Sequence, residues 1–567
     1  MQAVKQLELT LEDELALAQA EIFAGRGAVA ARMLEDLIGR SAFTPVLHYW
    51  LSAAYGQAGE LDKQAETLRT AQAYDALQVI QGVGGDLTRM QQDPAYAAMI
   101  GRELYAANLM GPASVALGSA AGAAGVTPDL LLTYGLALQH QGRMAEAVAA
   151  FGVAAEVCQS PNVHDFLLYA LFFADNGVVR HAEEARRWAE LYVPPLDRAA
   201  LVFANNRDPG RRLRIGYVTP SFTGGQSRQF ITPILDSHDP AQARVYLYPA
   251  DASRENGLPA SATARSIGGH SDADAAALIR KDRIDVLVDL WGHTAGGRLG
   301  MFALKPAPVQ VSLVNYLQTT GVPAMDYVVH AECMEAPGTA ELFTEKVWPL
   351  PMPAPFRPDP LMGPTPAPVL RNGYVTFGSF NHPARLNDQT VAAWARVLHA
   401  VPGSRLMLKY RYFTDPVLKN ATCARFGAHG IDPQRLDFHG HTTGAEYLSA
   451  FGDMDLALDP SPCPGGTTSC DALSNGVPVL TLRGPDFYSR IGVICLDAMG
   501  MDELIAESWD DYVERARALA SDHQALAQLR ASIRPRLDAS SIRDEVGVTR
   551  SLEGAYRKMF AAWCAGA

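Results

Sequence analysis

Residues 457–482 read ALDPSPCPGGTTSCDALSNGVPVLTL, and this stretch decides the fold of the second half of the chain. An apolar run is followed by a turn with Gly465 and Gly466, then by a short helix that Thr467 and Thr468 open, and then by another apolar run. Glycines let a ligand approach the backbone closely, and the first N–H groups of a helix carry partial positive charge. The stretch therefore predicts a phosphate-binding turn between a strand and a helix, although glycine-rich turns also occur as plain connections.

Three further side chains near predicted strand ends would complete such a site. Asp471 is predicted in the first turn of the same helix, where its carboxylate would accept from ribose hydroxyls or merely complement the helix dipole. The segment FGSFNHPARLN (377–387) follows another predicted strand, and its Arg385 offers a planar cation for a phosphate or diphosphate, unless it is an ordinary solvated arginine. His382 would bond a ligand or remain a loop histidine.

The segment 291–329 carries many Gly, Thr and Pro residues directly after a buried predicted strand. His293, at the carboxyl end of that strand, is a candidate acid, base or donor-sugar contact, or else a structural histidine that bonds a backbone carbonyl. Gln318 and Thr319 lie in a polar loop consistent with ligand contact.

The segment HGHTTGAEYL (439–448) contains two more candidate binding residues. Thr442 precedes a predicted helix, and Tyr447 on that helix points back toward a strand end. Tyr447 would stack on a nucleobase or form part of an ordinary helix-packing pair.

Strand-like and helix-like stretches alternate in two regions separated by a Pro-rich passage. Apolar runs such as LRIGYVTP (213–220) and IDVLVDLWG (284–292) belong to the first region, and YVTFGSF (374–380) opens the second. This alternation predicts right-handed crossovers and a parallel sheet in each region. We therefore predict two doubly wound α/β domains that bind ligand at the carboxyl ends of their strands, with residues 350–368 as the linker.

The first 195 or so residues are rich in Ala, Leu, Glu and Gln, with apolar residues at helical spacing. Gly25 and Gly59 are 34 residues apart and begin similar patterns of small and apolar residues, and further copies begin at Gly142 and Gly177. Neither helix of such a pair buries its apolar face alone, so stacked pairs form a solenoid. The spacing resembles the tetratricopeptide repeat, with a register that slips between about 75 and 125. A generic helical bundle is the alternative.

The composition excludes several classes of protein. The chain has 567 residues, of which 48% are hydrophobic and 19% charged, which is ordinary for globular domains and too long for one compact core. The net charge of -13 disfavours a nucleic acid or an anionic membrane as partner. The seven cysteines are dispersed without metal-ligand spacing, and the first residues form neither a basic export signal nor an apolar span. We therefore expect a cytoplasmic protein without a structural metal.

Five motifs that follow the repeats are typical of one protein family. They are GHTAGGRLGMFALKPAPVQV, TTGVPAMDY, VTFGSFN, VPGSRLMLK and the stretch 457–482. Over about residues 206–535 the chain resembles the bacterial branch of the O-linked N-acetylglucosamine transferase (SPINDLY-like) family. The resemblance implies an inverting GT-B glycosyltransferase that needs no metal or other cofactor. It would move a sugar from a nucleotide donor, UDP-N-acetylglucosamine by family, to Ser or Thr of a protein recruited by the repeats.

The resemblance also implies roles for individual residues. Arg385 occupies the position of the family's catalytic lysine, and Tyr447 stands where the family has a side chain over the base. Donor-binding positions of the family are matched by Gly466, Thr467 and Thr468 at the diphosphate, Asp471 at the ribose and His382 as a neighbouring polar residue.

Two departures from the family leave the donor sugar and the proton acceptor open. The family has a histidine in the loop after the first catalytic strand, where this chain has Gly225, and the family's lysine is replaced by Arg385. One alternative is therefore a flagellin glycosyltransferase that uses a CMP-linked nonulosonic acid, and another is a catalytically inactive repeat scaffold. The acceptor proton would leave through His293, water or the donor phosphate.

The predicted architecture is a tetratricopeptide-like α-solenoid followed by a GT-B glycosyltransferase. We place the repeats at 1–195, the N-terminal Rossmann-like domain on the acceptor side at 206–350, and the C-terminal Rossmann-like domain on the nucleotide-sugar side at 370–540. A C-terminal helix is placed at 541–567, and the C-terminal helices from Trp509 onward would pack on either domain.

Overall fold

The structure of the chain is a computed structural model that describes residues 10–41, 44–123, 126–174, 176–222, 224–250 and 258–566. These residues form two compact units, each built from separate stretches of chain. Unit 1 comprises the described residues up to Ala150, Ala367–Ser461 and Trp509–Ala527. Unit 2 comprises Phe151–Pro366, Pro462–Ser508 and the described residues from Gln528 onward. The chain passes from unit 2 to unit 1 within the Pro-rich passage 350–368.

The N-terminal part of the chain is helical. Its helices are α1 (Leu11–Phe23), α2 (Gly27–Arg40), α3 (Pro45–Ala58), α4 (Leu61–Gly82), α5 (Leu87–Gln92), α6 (Pro94–Ala106), α7 (Met110–Ala121), α8 (Pro128–His140), α9 (Met144–Cys158), α10 (Pro161–Leu171) and α11 (Gly177–Tyr192). Within the described ranges, no helix combines the length and the apolar character needed to cross a membrane.

Glycines form the turns between several of these helices. Gly25, Gly59 and Gly142 follow α1, α3 and α8 with φ of 78°, 81° and 77°, a region that glycine adopts without steric penalty. The predicted turn positions at these three glycines are confirmed. The long α4, with 22 residues, and the short α5 interrupt the spacing between these glycines. This interruption explains the slip of the repeat register between about 75 and 125.

Unit 2 contains a seven-stranded sheet with the order β3-β2-β1-β4-β5-β6-β7, in which neighbouring strands pair in parallel. The order reverses between β1 and β4, which is the switch point where doubly wound sheets bind ligands. The elements are β1 (Leu213–Thr219), α12 (Gly225–Ser237), β2 (Ala243–Pro249), β3 (Thr263–Ala264), α13 (Asp272–Asp282), β4 (Val286–Asp289), α14 (Leu299–Ala303), β5 (Val309–Ser312), β6 (Tyr327–Ala331), α15 (Thr339–Leu342) and β7 (Lys346–Leu350).

The second α/β region contributes strands to both units. In unit 1 four parallel strands have the order β10-β9-β8-β11, and in unit 2 β12 pairs in parallel with β13. The elements are α16 (Val369–Asn372), β8 (Thr376–Ser379), α17 (Asp388–Ala400), β9 (Arg405–Lys409), α18 (Pro416–Gly427), β10 (Leu436–His439), α19 (Gly444–Ser449), β11 (Leu456–Leu458), α20 (Thr467–Ser474), β12 (Val479–Leu482), α21 (Val493–Ala498), β13 (Ile505–Ala506), α22 (Trp509–Ser521), α23 (His523–Ala539) and α24 (Glu545–Cys564).

Both faces of the seven-stranded sheet are covered, which is why its strands are apolar on both sides. On one face, Ile215 and Tyr217 of β1 lie in a cluster with Tyr556 of α24. On the other face, Val218 lies in a cluster with Trp188 of α11. The last helix of the repeats and the last helix of the chain therefore both pack on this sheet.

In unit 1 the repeat helices α3, α4 and α7 pack on α18. The backbone N–H of Gly111, at the start of α7, donates to the buried carboxyl of Asp415 over 2.6 Å. Burial raises the pKa of Asp415 to about 6 against the effect of the backbone N–H bonds that it accepts. A methyl group added at Gly111 would lie 2.5 Å from Cβ of Val417, so only glycine fits at this contact.

Replacing Gly111 by alanine should therefore destabilise the protein by about 1–3 kcal/mol, because overpacking forces the α7–α18 contact apart. Gly152, inside α9, is the matched control, since a methyl group there meets nothing within 4 Å. Gly152→Ala should stabilise by up to about 1 kcal/mol through helix propensity. Thermal and urea unfolding of both variants measure the two effects, and a Gly111→Ala protein as stable as wild type would contradict the packing argument.

Candidate active site

The turn 465–468 connects the segment that leaves β11 to helix α20. The helix begins at Thr467, and its N-cap residue is Gly466, which has no side chain that could cap the first turn. Gly466, Thr467 and Thr468 are partly exposed, whereas their neighbours Gly465 and Ser469 are buried. A methyl group added at Gly466 would meet only Ile491, at 3.9 Å, so the backbone borders open space. Helix N–H groups that border open space are suited to an anionic oxygen.

Asp471 is the fifth residue of α20, and the helix has no acidic residue in its first turn. The predicted first-turn placement of Asp471 is therefore wrong. Charge–dipole effects fall off within the first turn, so this position weakens the interpretation of Asp471 as a dipole partner. The carboxylate is buried and accepts from Nε2 of Gln229 on α12 over 2.9 Å. Gln229 lies in the loop-and-helix segment after β1, but sequence reasoning did not single it out.

Arg385 and His382 lie together in a short turn of 3₁₀ helix, Pro383–Arg385, that follows β8. β8 and β11 are adjacent, and the strand order of the sheet in unit 1 reverses between them. The partly exposed Arg385 is thus placed at a switch point. Nδ1 of His382 accepts from the backbone N–H of Ala384 over 2.9 Å, and Nε2 lies 2.8 Å from Nδ1 of His140.

Tyr447 of α19 lies beside the end of β8. Its ring centroid is 6.1 Å from that of Phe380, the residue after β8, and 5.4 Å from that of Phe451 in an edge-on arrangement. Thr442 precedes α19 and has a buried hydroxyl with no hydrogen-bond partner among the described residues. The rings of Tyr447, Phe380 and Phe451 thus form an aromatic cluster near the end of β8, the strand that precedes the turn with Arg385.

His293 lies in the loop after β4, where Gly292 (φ 54°) allows a turn that a methyl group would block by approaching Tyr316 to 2.2 Å. The ring is fully buried. Nδ1 lies 2.8 Å from Asp165 and Nε2 lies 2.7 Å from the carbonyl of Thr320. Both ring nitrogens are therefore already engaged in hydrogen bonds within the fold. An imidazole held in this way cannot take a proton from an acceptor hydroxyl in this conformation.

The loop that contains Gln318 and Thr319 is also buried in unit 2. The hydroxyl of Thr319 donates to Glu345 over 2.6 Å, and the backbone N–H of Thr320 donates to the same carboxylate over 2.8 Å. Nε2 of Gln318 has no hydrogen-bond partner among the described residues. The contacts of Thr319 hold this loop to the buried Glu345.

The candidate residues thus form a group in each unit. In unit 1, Arg385, His382 and Tyr447 surround the end of β8. In unit 2, Asp471 shares helix α20 with the threonines of the turn 465–468, and His293 is bonded to the loop at Thr320. Gly225, at the position of the family's histidine, begins α12.

The two doubly wound parallel regions define the GT-B glycosyltransferase fold class. Tetratricopeptide-like helices precede them in the chain, as predicted. The chain belongs to glycosyl transferase family 41, whose family model matches residues 141–356 and 367–550. The family resemblance predicted from the five motifs is confirmed.

Two relatives show how much of the chain is shared. The chain is 37% identical over 379 residues to the probable UDP-N-acetylglucosamine–peptide N-acetylglucosaminyltransferase SPINDLY of Petunia hybrida, covering 64% of this chain and 40% of that protein. The protein of the same name from Hordeum vulgare is 34% identical over 429 residues, covering 72% of this chain and 44% of the relative. The chain thus spans less than half the length of these relatives.

A solved structure supports the fold directly. A variant of the Thermobaculum terrenum O-GlcNAc transferase superposes with a TM-score of 0.77 at 28% sequence identity. The match covers 93% of this chain and 100% of that chain, so it includes helices as well as the α/β regions.

Proposed function

We propose that this chain is an inverting protein O-glycosyltransferase. It transfers a sugar from a nucleotide donor, with UDP-N-acetylglucosamine favoured, to Ser or Thr of a protein that the helical repeats recruit. The donor and the peptide acceptor are supported by the relatives from Petunia hybrida and Hordeum vulgare, which are named as probable UDP-N-acetylglucosamine–peptide N-acetylglucosaminyltransferases. The observation that carries the proposal is the partly exposed turn Gly466–Thr468 at the start of α20, where the backbone at Gly466 borders open space, since the start of a helix favours a phosphate.

In the proposed reaction, the acceptor oxygen displaces the nucleotide at the anomeric carbon. The leaving phosphate gains negative charge in the transition state, and preorganised cations and N–H groups stabilise that charge. We assign the cation to Arg385 and the N–H groups to the start of α20. Asp471 binds the ribose and Tyr447 the base, while His382 and Thr442 complete the donor site.

The acceptor proton passes to the donor phosphate or to water in this proposal. His293 is not its acceptor, because Asp165 and the Thr320 carbonyl already engage both ring nitrogens. Thr319 holds the loop that His293 contacts, because its hydroxyl donates to the buried Glu345. This assignment replaces the predicted acid–base role of His293 and the predicted ligand contact of Thr319 by structural ones.

A thermal-shift series with the full chain tests the nucleotide. UDP and UDP-N-acetylglucosamine are expected to raise Tm, since a ligand at 100 times its Kd stabilises the folded state by about 2.7 kcal/mol. A shift with CMP and CMP-linked sugars instead would support the nonulosonic acid alternative, in which flagellin is the acceptor. If no nucleotide or nucleotide sugar raised Tm, the result would support the alternative of a catalytically inactive repeat scaffold. The intact mass of co-expressed acceptor proteins, with and without this chain, then identifies the sugar transferred.

A further inference from the structure

A row of hydrogen-bonded side chains runs from the helical repeats to the turn that carries Arg385. In unit 1, Nδ1 of His140, the last residue of α8, lies 2.8 Å from Nε2 of His382. Nε2 of His140 lies 3.2 Å from the hydroxyl of Tyr105 on α6. His140 and His382 are 242 positions apart in the chain, so this contact exists only because the repeats pack on the second α/β region.

The direction of these hydrogen bonds is fixed at one end. The backbone N–H of Ala384 can only donate, so Nδ1 of His382 is an acceptor and carries no proton. Burial, together with the charges of Arg385 and Arg411, holds the pKa of His382 well below its ordinary value. The neutral ring of His382 therefore has its proton on Nε2 and donates it to Nδ1 of His140. The ring of His140 in turn donates from its own Nε2 to the hydroxyl of Tyr105.

Aromatic side chains enclose both imidazoles. The ring of His140 stacks on Tyr412 with a centroid distance of 4.3 Å, and the ring of His382 meets the edge of Tyr410 at 4.8 Å. Burial and the nearby charge of Arg411 lower the pKa of His140 to about 3, so this ring is neutral as well. Neither ring can rotate without losing a hydrogen bond and a ring contact together.

The backbone of the same repeat also reaches the turn after β8. A methyl group added at Gly142, just after α8, would lie 3.0 Å from the carbonyl oxygen of Pro383. The backbone N–H of Arg385 donates to the carbonyl of His382 over 2.9 Å. The turn Pro383–Arg385 is thus fixed from the repeat side by the backbone at Gly142 and by the side chain of His140.

We propose that His140 is a positioning residue for sugar transfer. This residue of the repeats fixes the orientation of the His382 ring, whose tautomer the N–H of Ala384 sets, and, through the turn Pro383–Arg385, the place of the Arg385 guanidinium. This inference rests on the proposed function, because Arg385 has a role only where a nucleotide phosphate departs. The repeats would then contribute to the donor site itself, in addition to recruiting the acceptor.

The test compares His140→Phe with His140→Asn. Phenylalanine keeps the stacking on Tyr412 but removes the acceptor, and a misplaced Arg385 is expected to lower kcat by about 10- to 100-fold. Asparagine places its side-chain oxygen near the position of Nδ1, so this variant is expected to restore most of kcat. His48→Phe is the matched control, since His48 is a partly buried repeat histidine whose Nδ1 bonds the Thr44 carbonyl of the same segment. Its kcat should equal that of wild type.

UDP calorimetry on each variant separates this inference from the proposed function. If wild type binds UDP and His140→Phe matches it in both kcat and UDP affinity, the positioning role is wrong while the function stands. If wild type binds neither UDP nor CMP, the proposed function fails and the inference with it. The ¹⁵N-histidine spectrum of the wild-type chain is the second measurement, should His140→Phe not fold. A neutral ring with the proton on Nε2 is expected for His382, and a proton on Nδ1 would overturn the proposal.

Discussion

Replacing Arg385 by alanine is expected to lower kcat for sugar transfer by about 100-fold or more, with the larger part of the loss in kcat rather than in KM. The reason is that the guanidinium faces its greatest negative charge when the nucleotide phosphate departs, so the lost interaction is mainly one of the transition state. The 3₁₀ turn that carries Arg385 is held by its own backbone bonds and by His382, so truncating the side chain leaves the turn in place. Steady-state kinetics with the donor and a co-expressed acceptor measure the loss.

Two variants control this prediction. Arg396 lies on the following helix, α17, and pairs at the surface with Asp510 over 2.6 Å. Arg396→Ala removes an equal charge away from the turn and should leave kcat unchanged. Arg385→Lys keeps a cation but loses the planar fork, so its kcat should fall between those of wild type and Arg385→Ala. If Arg385→Ala had the kcat of the wild type, the electrostatic role assigned to Arg385 would be wrong.

The fold class could be predicted from the sequence because buried parallel strands form continuous apolar runs. The run predicted at 213–220 coincides with β1, whereas β5 was not predicted. The reason lies in Gln310, a buried polar residue in the middle of β5. Its side chain donates to the carbonyls of Phe302 and Ala324 over 2.9 and 3.0 Å, so tertiary contacts satisfy an amide that disrupts the apolar pattern.

The candidate site could be predicted only where it follows the chain locally. Arg385 lies in the turn after β8 and Asp471 in the helix that the glycine turn opens, and both connections are visible in the sequence. The hydrogen-bond partners of the candidate residues come from distant segments. Gln229 is 242 positions from Asp471, and Asp165 is 128 positions from His293. One sequence carries no signal for such pairs, since they arise from how helices pack on sheets.

Replacing Asp471 by alanine is expected to raise the Kd for UDP by about 10- to 100-fold, the effect of losing a hydrogen bond between a carboxylate and a ribose hydroxyl. The affinity for inorganic pyrophosphate should not change, since in the proposed site the turn 465–468 and Arg385 bind the phosphates. The two ligands separate the two interpretations of this carboxylate. A carboxylate that acted through the helix dipole would affect UDP and pyrophosphate alike, and its removal would strengthen the binding of both anions. Calorimetry with both ligands on the full chain gives the comparison.

Two further variants determine what a loss of UDP affinity means. Gln229→Ala removes the neutral donor to Asp471 but keeps the carboxylate, so the Kd for UDP should rise by only about 2- to 10-fold, as for a neutral hydrogen bond. Asp274 lies in the first turn of α13, and Asp274→Ala should leave both affinities at their wild-type values. If Asp471→Ala weakened pyrophosphate as much as UDP, the carboxylate would be acting on the phosphates or on the stability of α20, and the ribose assignment would be wrong. Unchanged pyrophosphate binding with weakened UDP binding fits only a contact beyond the phosphates, and the ribose is the part of the nucleotide whose hydroxyls a carboxylate accepts from.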